Sequence, residues 1–452
     1  MSKYVIYAVA SIALLLSAIS GTSVAVAFPI ITTSFNASLV LAGWVLSISQ
    51  LASTVVMPLA GKASDILGRK FTLIAALVLF TAGSFFCAIA PNIQTLIAAR
   101  CIQGMGAGAF LPAATGVVID EFPHSRQRAI GFFSSIFPIG QIIGPNLGGW
   151  MVHAFGWRSI FWLNIPLGVL AMIIAAILLR PGKREHANFD GLGIGLFTSG
   201  ISAIMIAIST IGNSKSPQDW IGTALLFAAG IALIILFIRH ESKARDPIID
   251  PQVLHERPFL AANIFNFALG ACIFSIASLI PLYAVSIYSM STINSGIILT
   301  PKSITMMLVS AVASFFLVRW GYRRPMIIGT ILIVLSLAFL GIEAPGLNID
   351  GLHINATWLL VLVMTITGMG MGLAIPAANN ACIELMPKRA ATITGVRGMF
   401  RQSGGAISIS IATLVLQGTN DMARGFTIVF WGMSIILAIT IPIIFLMPKA
   451  PE

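Results

Sequence analysis

Apolar residues in this chain come in long runs rather than in alternation. From Tyr4 to Ala27 only small and hydroxyl-bearing residues interrupt them. Comparable runs predict fourteen spans, at 4–27, 42–61, 72–90, 94–119, 129–152, 159–179, 191–212, 220–238, 259–284, 295–318, 325–343, 357–382, 391–416 and 425–446. Each is close to the roughly 20 residues a helix needs to cross the hydrocarbon of a bilayer. Backbone groups in hydrocarbon must be satisfied within the protein, and period-two alternation is missing, so the runs predict helices and not a barrel. The expected fold class is an all-α integral membrane protein.

Composition points the same way. The 452 residues are 57% hydrophobic and 9% charged, with mean hydropathy +0.96, whereas soluble domains carry about 25% charged residues. A soluble globule is excluded. The net charge of +11 does not indicate a nucleic-acid partner, because the basic residues sit singly or in threes between apolar runs and form no continuous patch. Their sidedness is informative. About 19 fall in segments on one side, and about 3 (Arg158, Lys215, Arg424) on the other. The positive-inside rule then puts both termini of an even-spanned chain in the cytoplasm, with the protein multi-pass in the cell (plasma) membrane. Cys87, Cys101, Cys272 and Cys382 lie in apolar runs and form no CxxC pair, so they read as free thiols. The six histidines fall between apolar runs, and neither a metal nor a cofactor is expected.

Two polar segments, Arg180–Asp190 and Arg239–Pro258, bracket a two-helix stretch at 191–238. Removing it leaves six helices on each side, the arithmetic of a transporter built from repeats. The expected organisation is an N-terminal six-helix bundle at 1–182, an inserted hairpin with its loops at 183–257, and a C-terminal six-helix bundle at 258–452.

Within this frame several stretches carry chemistry. GKASDILGRK (Gly61–Lys70) reads as a tight turn between helices. Gly61 permits close approach, Gly68 an unusual backbone angle, and Asp65 can sit near a positive helix N-terminus. Arg69 and Lys70 hold the loop inside. RCIQGMGAG (Arg100–Gly108) places Arg100 inside a span with Gln103 one turn on, and an intramembrane charge marks a functional site by default. In GFFSSIFPIGQIIGPNLGG (Gly131–Gly149), Gly140, Gly144 and Gly148 form a smooth face that admits a neighbouring helix. Gly149 adjoins that face, and Pro145 bends the helix by removing a backbone donor. GVRGMFRQSGG (Gly395–Gly405) puts Arg397 and Arg401 four residues apart on one helix face, and LTPKSITMM puts Lys302 in another span.

The stretches at 61–70, 100–108 and 131–149 together resemble the major facilitator superfamily: its loop 2–3 signature, its span 4 arginine motif and its span 5 motif typical of antiporters. WRSIFWLNIPLG (Trp157–Gly168), Asp190-Gly191 and RQSGG (Arg401–Gly405) resemble its fourteen-span drug:proton antiporter family. The resemblance covers essentially the whole chain. It implies the major facilitator fold, two six-helix bundles plus a two-helix insertion, rocking around a central cavity. It implies a monomeric secondary active transporter in membrane lipid, exporting small amphipathic or drug-like compounds, with a proton as candidate coupling ion. It also implies a cytoplasmic latch. Asp65 would sit against the start of span 13, near Arg397, and Arg69 would pair with a carboxylate at the end of span 4, where Asp120 and Glu121 stand. An enzyme is not expected, since no paired acids, metal cluster or nucleophile with its base share one depth.

The chain departs from the family pattern in its acidic residues. The family places an aspartate nine residues before the proline ending span 1, and counting back from Pro29 reaches Ser20. All 15 acidic residues fall in loops or at span ends, leaving the embedded cations Arg100, Lys302, Arg397 and Arg401 without an embedded acid. Each charge facing lipid at a span centre costs roughly 2.5–3.5 kcal/mol, so these side chains are expected to face a wet cavity or protein interior. The candidates for substrate binding or coupling are Lys302, Arg401, Arg100, Gln103, Ser20 and Asn146, with Asn263, Asn266 and Asn379 among further polar cavity candidates. Two mechanisms follow. In one, Lys302 and an arginine bind an anionic or zwitterionic solute, in line with an exchanger or facilitator for an organic anion or a lipid-like anionic solute. In the other, Lys302 exchanges a proton against substrate. VRWGYRRP (Val318–Pro325) repeats the loop 2–3 pattern without its aspartate and reads as structural.

Overall fold

The computed structural model describes residues 2–122, 133, 136–179, 190–211, 217–243, 257–342, 347–349, 352–354, 356–385 and 390–447. The chain divides into two compact units, Met1–Pro251 and Gln252–Glu452.

The first unit contains α1 (Ser2–Ser34), α2 (Leu39–Leu67), α3 (Arg69–Ala88), α4 (Ile93–Glu121), α5 (Ile136–Phe155), α6 (Ser159–Leu178), α7 (Gly191–Ile211) and α8 (Pro217–Glu241). Sequence chemistry marks the helix starts. Ser38 accepts from the Leu41 amide and caps α2. Asn92 and Thr95 form a reciprocal capping box on α4, satisfying amide donors that have no partner within the helix. Side chains of α1, α3, α4 and α6, joined by Ala60 of α2 and by Phe133, form the core, with Phe80, Phe110, Phe133 and Leu73 essentially inaccessible. The inserted α7 and α8 pack mainly on each other, with α7 also touching α2. His240 Nε2 meets Asp190 Oδ1 at 2.9 Å and ties the two ends of this hairpin together.

The second unit contains α9 (Arg257–Tyr288), the short α10 (Thr292–Ile297), α11 (Leu299–Trp320), α12 (Arg323–Leu340), an antiparallel pair of three-residue strands, β1 (Leu347–Ile349) and β2 (Leu352–Ile354), then α13 (Ala356–Leu385), α14 (Ala390–Gly418), α15 (Met422–Ile439) and the single turn α16 (Ile441–Ile444). Here α9 packs on α14, and α13 lies against both α11 and α12. Burial separates central helices from peripheral ones: 83% of the apolar window of α9 is buried, against 11% for α8. The exposed apolar face of α8 therefore has lipid as its natural solvent.

Among the described residues 13 helical stretches are long and apolar enough to cross a membrane. The helix at α5 is not one of them, because Gln141, Asn146, Pro145 and four glycines dilute its apolar content. Three expectations need correction. The turn expected over Gly61–Lys70 is confined to Gly68: α2 continues through Leu67, α3 starts at Arg69, and Gly68 takes φ +92°. A Cβ at Gly61 would meet only Pro112 Cβ at 3.9 Å, an ordinary contact, so close approach is not what Gly61 supplies. His153 and His240, expected between apolar runs, lie in the last turns of α5 and α8, because these helices extend past their apolar stretches.

Candidate functional site

In the first unit, glycines bring helices close enough for buried polar side chains to meet. A Cβ at Gly104 would collide with the Ser49 backbone, and one at Gly108 with the Ser53 backbone, so this face of α4 lies directly on α2. Gly106, on another face, abuts Ala76 and Phe80 of α3, and Gly83 of α3 abuts the backbone of Gln103. Such contacts are sterically closed to any residue with a side chain.

Arg100 and Gln103 sit at this junction, 3% and 1% exposed. Arg100 Nε donates to the Val45 carbonyl of α2 at 3.0 Å, and Nη1 donates to Gln103 Oε1. Gln103 Nε2 donates to Ser20 Oγ of α1 at 3.2 Å and to Ser84 Oγ of α3 at 2.8 Å. Ser84 passes the chain on to the Phe80 carbonyl at 2.7 Å. Four helices are thus tied by one polar network built on a cation with neutral partners. Ser20, Arg100 and Gln103 are brought together. Asn146 instead donates to the Ile142 carbonyl of its own helix at 2.7 Å. Ser84 was not legible as a site residue, because one hydroxyl in an apolar helix has no pattern of its own.

The glycine face of α5 lies on α1. Cβ atoms at Gly140, Gly144 and Gly148 would strike Ala18, Thr22 and Ser23 respectively. Ser23 Oγ donates to the Gly144 carbonyl at 2.8 Å, and Pro145 and Gly149 are buried. Pro145 lacks the amide that would bond back to Gln141.

Of the residues assigned to the latch, Arg69 lies against α4, where a Cβ on Gly116 would meet its guanidinium. Lys70 Nζ donates to the Ala176 carbonyl of α6 at 2.6 Å. The side chains of Asp65 and Asp120 lie outside the described residues.

In the second unit, Lys302 stands in the first turn of α11 and is 4% exposed. The Lys302 carbonyl and Thr305 Oγ1 fit against Gly368 of α13, and Thr305 Oγ1 donates to the Thr365 carbonyl at 3.1 Å. Arg397 is 7% exposed. Arg401 Nη2 donates to Asn379 Oδ1 of α13 at 3.3 Å. Buried and without a hydrogen-bond partner among the described residues are Arg397 Nε and Nη1 and Arg401 Nε. The loop at 318–325 closes through Gly321 at φ +69°, and Arg323 Nε donates to the Met447 carbonyl at 2.8 Å.

Comparisons with known proteins give a consistent picture. The sequence pattern of the Major Facilitator Superfamily matches residues 10–409. The multidrug transporter protein MdtP of Bacillus subtilis is 32% identical over 411 residues, covering 90% of this chain and 74% of that protein. A multidrug resistance protein B homolog of Mycobacterium tuberculosis is 30% identical over 405 residues, covering 87% of this chain and 73% of that protein. The riboflavin transporter RibZ of Clostridioides difficile is 27% identical, covering 84% of this chain and 80% of that protein. Among solved structures, a POT family transporter in complex with 5-aminolevulinic acid matches with TM-score 0.72 at 16% identity, over 97% of this chain and 94% of that one.

Proposed function

Because the chain belongs to the Major Facilitator Superfamily, we propose that it is a secondary active exporter of small amphipathic or drug-like compounds, working by alternating access. The observation that carries this reading is the 32% identity to a multidrug transporter over 90% of the chain. The seating of the α5 glycine face on α1 supports it. In this reading α5 is the fourteenth span, both termini are cytoplasmic, and the protein is a plasma-membrane monomer. The bundles are 1–182 and 258–452, with the hairpin at 183–257 between them.

Lys302, Arg401, Arg100, Gln103, Ser20 and Asn146 serve substrate binding or coupling. Gly61, Asp65, Gly68, Arg69, Lys70, Asp120 and Arg397 form the conformational latch on the cytoplasmic side. Gly140, Gly144, Pro145, Gly148 and Gly149 form the packing motif. Proton coupling without an embedded acid assigns the titrating role to Lys302.

A second reading, an exchanger or facilitator for an organic anion, is favoured by one specific observation. Lys302 and Arg397 are buried, and the described residues of their unit show no acid bonded to either. Both readings are tested in proteoliposomes under an imposed pH gradient, by comparing flux of ethidium with flux of 2-aminobenzoate in wild type, Lys302→Ala and Lys302→Gln. Ethidium flux driven by the gradient and lost in both variants supports the first reading. Gradient-independent 2-aminobenzoate flux supports the second. Transport unchanged in both variants removes Lys302 from either mechanism.

A further inference from the structure

In the second unit α9 and α14 run side by side with their numbers rising together. Gly270 lies on the Arg401 backbone, the Phe267 carbonyl and the Ala271 amide on Gly404, Phe274 on Gly405, and Ser275 Oγ donates to Ser408 Oγ at 2.8 Å. One turn back along each helix, this register brings Asn266 level with Arg397. From α13, Asn379 meets Arg401. Cys382 of the same helix accepts a weak bond from Asn266 Nδ2 at 3.7 Å and lies within electrostatic reach of both guanidinium groups. Three helices therefore converge on two arginines.

The hydrogen bonding at this convergence is incomplete in a directed way. Arg397 Nε and Nη1 and Arg401 Nε are buried donors without a partner among the described residues. Asn266 Oδ1 is a buried acceptor in the same condition, as are Asn263 Oδ1 one turn back along α9 and Gln402 Oε1 on α14. A guanidinium taken out of water needs a counter-charge or a full set of acceptors. Two such cations four residues apart repel each other and make the need larger. The orphaned Nε and Nη1 lie on different edges of the Arg397 guanidinium, and Arg401 adds its Nε, so an anion with two oxygens can take single charge-assisted bonds from both side chains. Asn266, tied to the cluster through Cys382, offers its Oδ1 to a donor on the same ligand.

We propose that Arg397 and Arg401, with Asn266 and Asn379, form an oxyanion subsite that binds the carboxylate of a transported solute carrying an N–H or O–H group close to that carboxylate. The proposal rests on the second reading above, names its substrate class, and replaces the latch role given to Arg397 in the first reading. Two neutral amides orient the ligand, and the two arginines supply the charge. Glu384 is the acid nearest Cys382 in the sequence, and its side chain lies outside the described residues. It therefore enters the test as a variant.

The test is equilibrium binding to the full-length purified protein, read as ligand-dependent thermal protection, so that it does not depend on flux. The probe is 2-aminobenzoate, and its uncharged amide, 2-aminobenzamide, is the control. Wild type is expected to be protected by the carboxylate and not by the amide. Arg397→Gln and Arg401→Gln should each raise the apparent Kd about tenfold or more, and the Lys variants should fall in between because they keep the charge but lose the guanidinium N–H donors at their fixed positions. Arg424→Gln, an exposed cation, should behave as wild type. Glu384→Gln should leave the apparent Kd unchanged.

Equal protection by the amide, or an unaltered Kd in both Gln variants, overturns the proposal. So does protection that appears only in Glu384→Gln, which would make Glu384 the resident counter-ion. If the Gln variants do not fold, the carboxylate-versus-amide comparison in wild type and the Lys variants still decides. In nanodiscs, loss of 2-aminobenzoate protection on adding phosphatidylglycerol to phosphatidylcholine would assign the same chemistry to a lipid phosphate and overturn the solute assignment. Binding without flux would sink the transport reading and leave the subsite standing.

Discussion

Gln103 holds its network together because it both accepts and donates. Its Oε1 takes Arg100 Nη1, while its Nε2 serves Ser20 and Ser84. Gln103→Leu leaves a buried charged donor unsatisfied, which costs about 3 kcal/mol. Thermal unfolding of the purified protein should show a clear loss of stability. Gln103→Glu should be far milder, since the carboxylate opposes Arg100 directly and the serine hydroxyls can turn to donate to it. Gly68 answers to a different constraint. Its φ of +92° is outside the range ordinary residues adopt, so Gly68→Ala should destabilise by about 1–2 kcal/mol, seen as a lower melting temperature. At this scale the sequence showed which residues were unusual: an arginine and a glutamine in an apolar run, and a glycine between helices. It did not show their partners, because Ser20, Val45 and Ser84 come from three other helices and their approach depends on packing.

Helix-to-helix contact is decided by small residues. Gly144 on α5 has Thr22 and the Ile19 backbone directly against it. Overpacking by a single side chain usually costs about 1–3 kcal/mol and sometimes more, and here part of the obstacle is backbone that cannot rotate away. Gly144→Leu should therefore abolish recovery of monodisperse protein in size-exclusion chromatography. Gly195→Leu, at an exposed position on α7 where a Cβ would meet nothing within 4 Å, should leave recovery unchanged and offers the matched control. The contrast divides what a glycine pattern discloses. The spacing of Gly140, Gly144 and Gly148 is visible in the sequence and identifies a contact face, but that its partner is α1 follows only from the tertiary arrangement. The reading of Gly61 as a close-approach residue failed for the same reason. Its motif neighbourhood suggested crowding, yet Pro112 stands at a comfortable 3.9 Å from where a Cβ would be.

For the whole molecule, charge placement makes a topological forecast. Lys243, in the turn after α8, and Arg424, in the first turn of α15, are both exposed, and the lysine and arginine distribution puts them on opposite sides of the membrane. In a background with the four native cysteines replaced by serine, Arg424→Cys should react with a membrane-impermeant maleimide in intact cells. Lys243→Cys should react only after permeabilisation. Labelling of both in intact cells would refute the orientation.

What the sequence determined by itself is the solvent and the element type. Apolar runs of span length with few charges leave no alternative to helices in lipid, since each backbone group must be bonded within its own segment. The motifs and the lone embedded cations were equally local, and so were readable. What only the tertiary structure decided is how those cations are held. Arg100 is satisfied by neutral groups from neighbouring helices, whereas Arg397 and Arg401 retain buried donors without partners among the described residues. The difference is not in the arginines, which look alike in sequence. It lies in which side chains three or four separate helices bring to the same depth, and that is fixed by packing rather than by any local pattern.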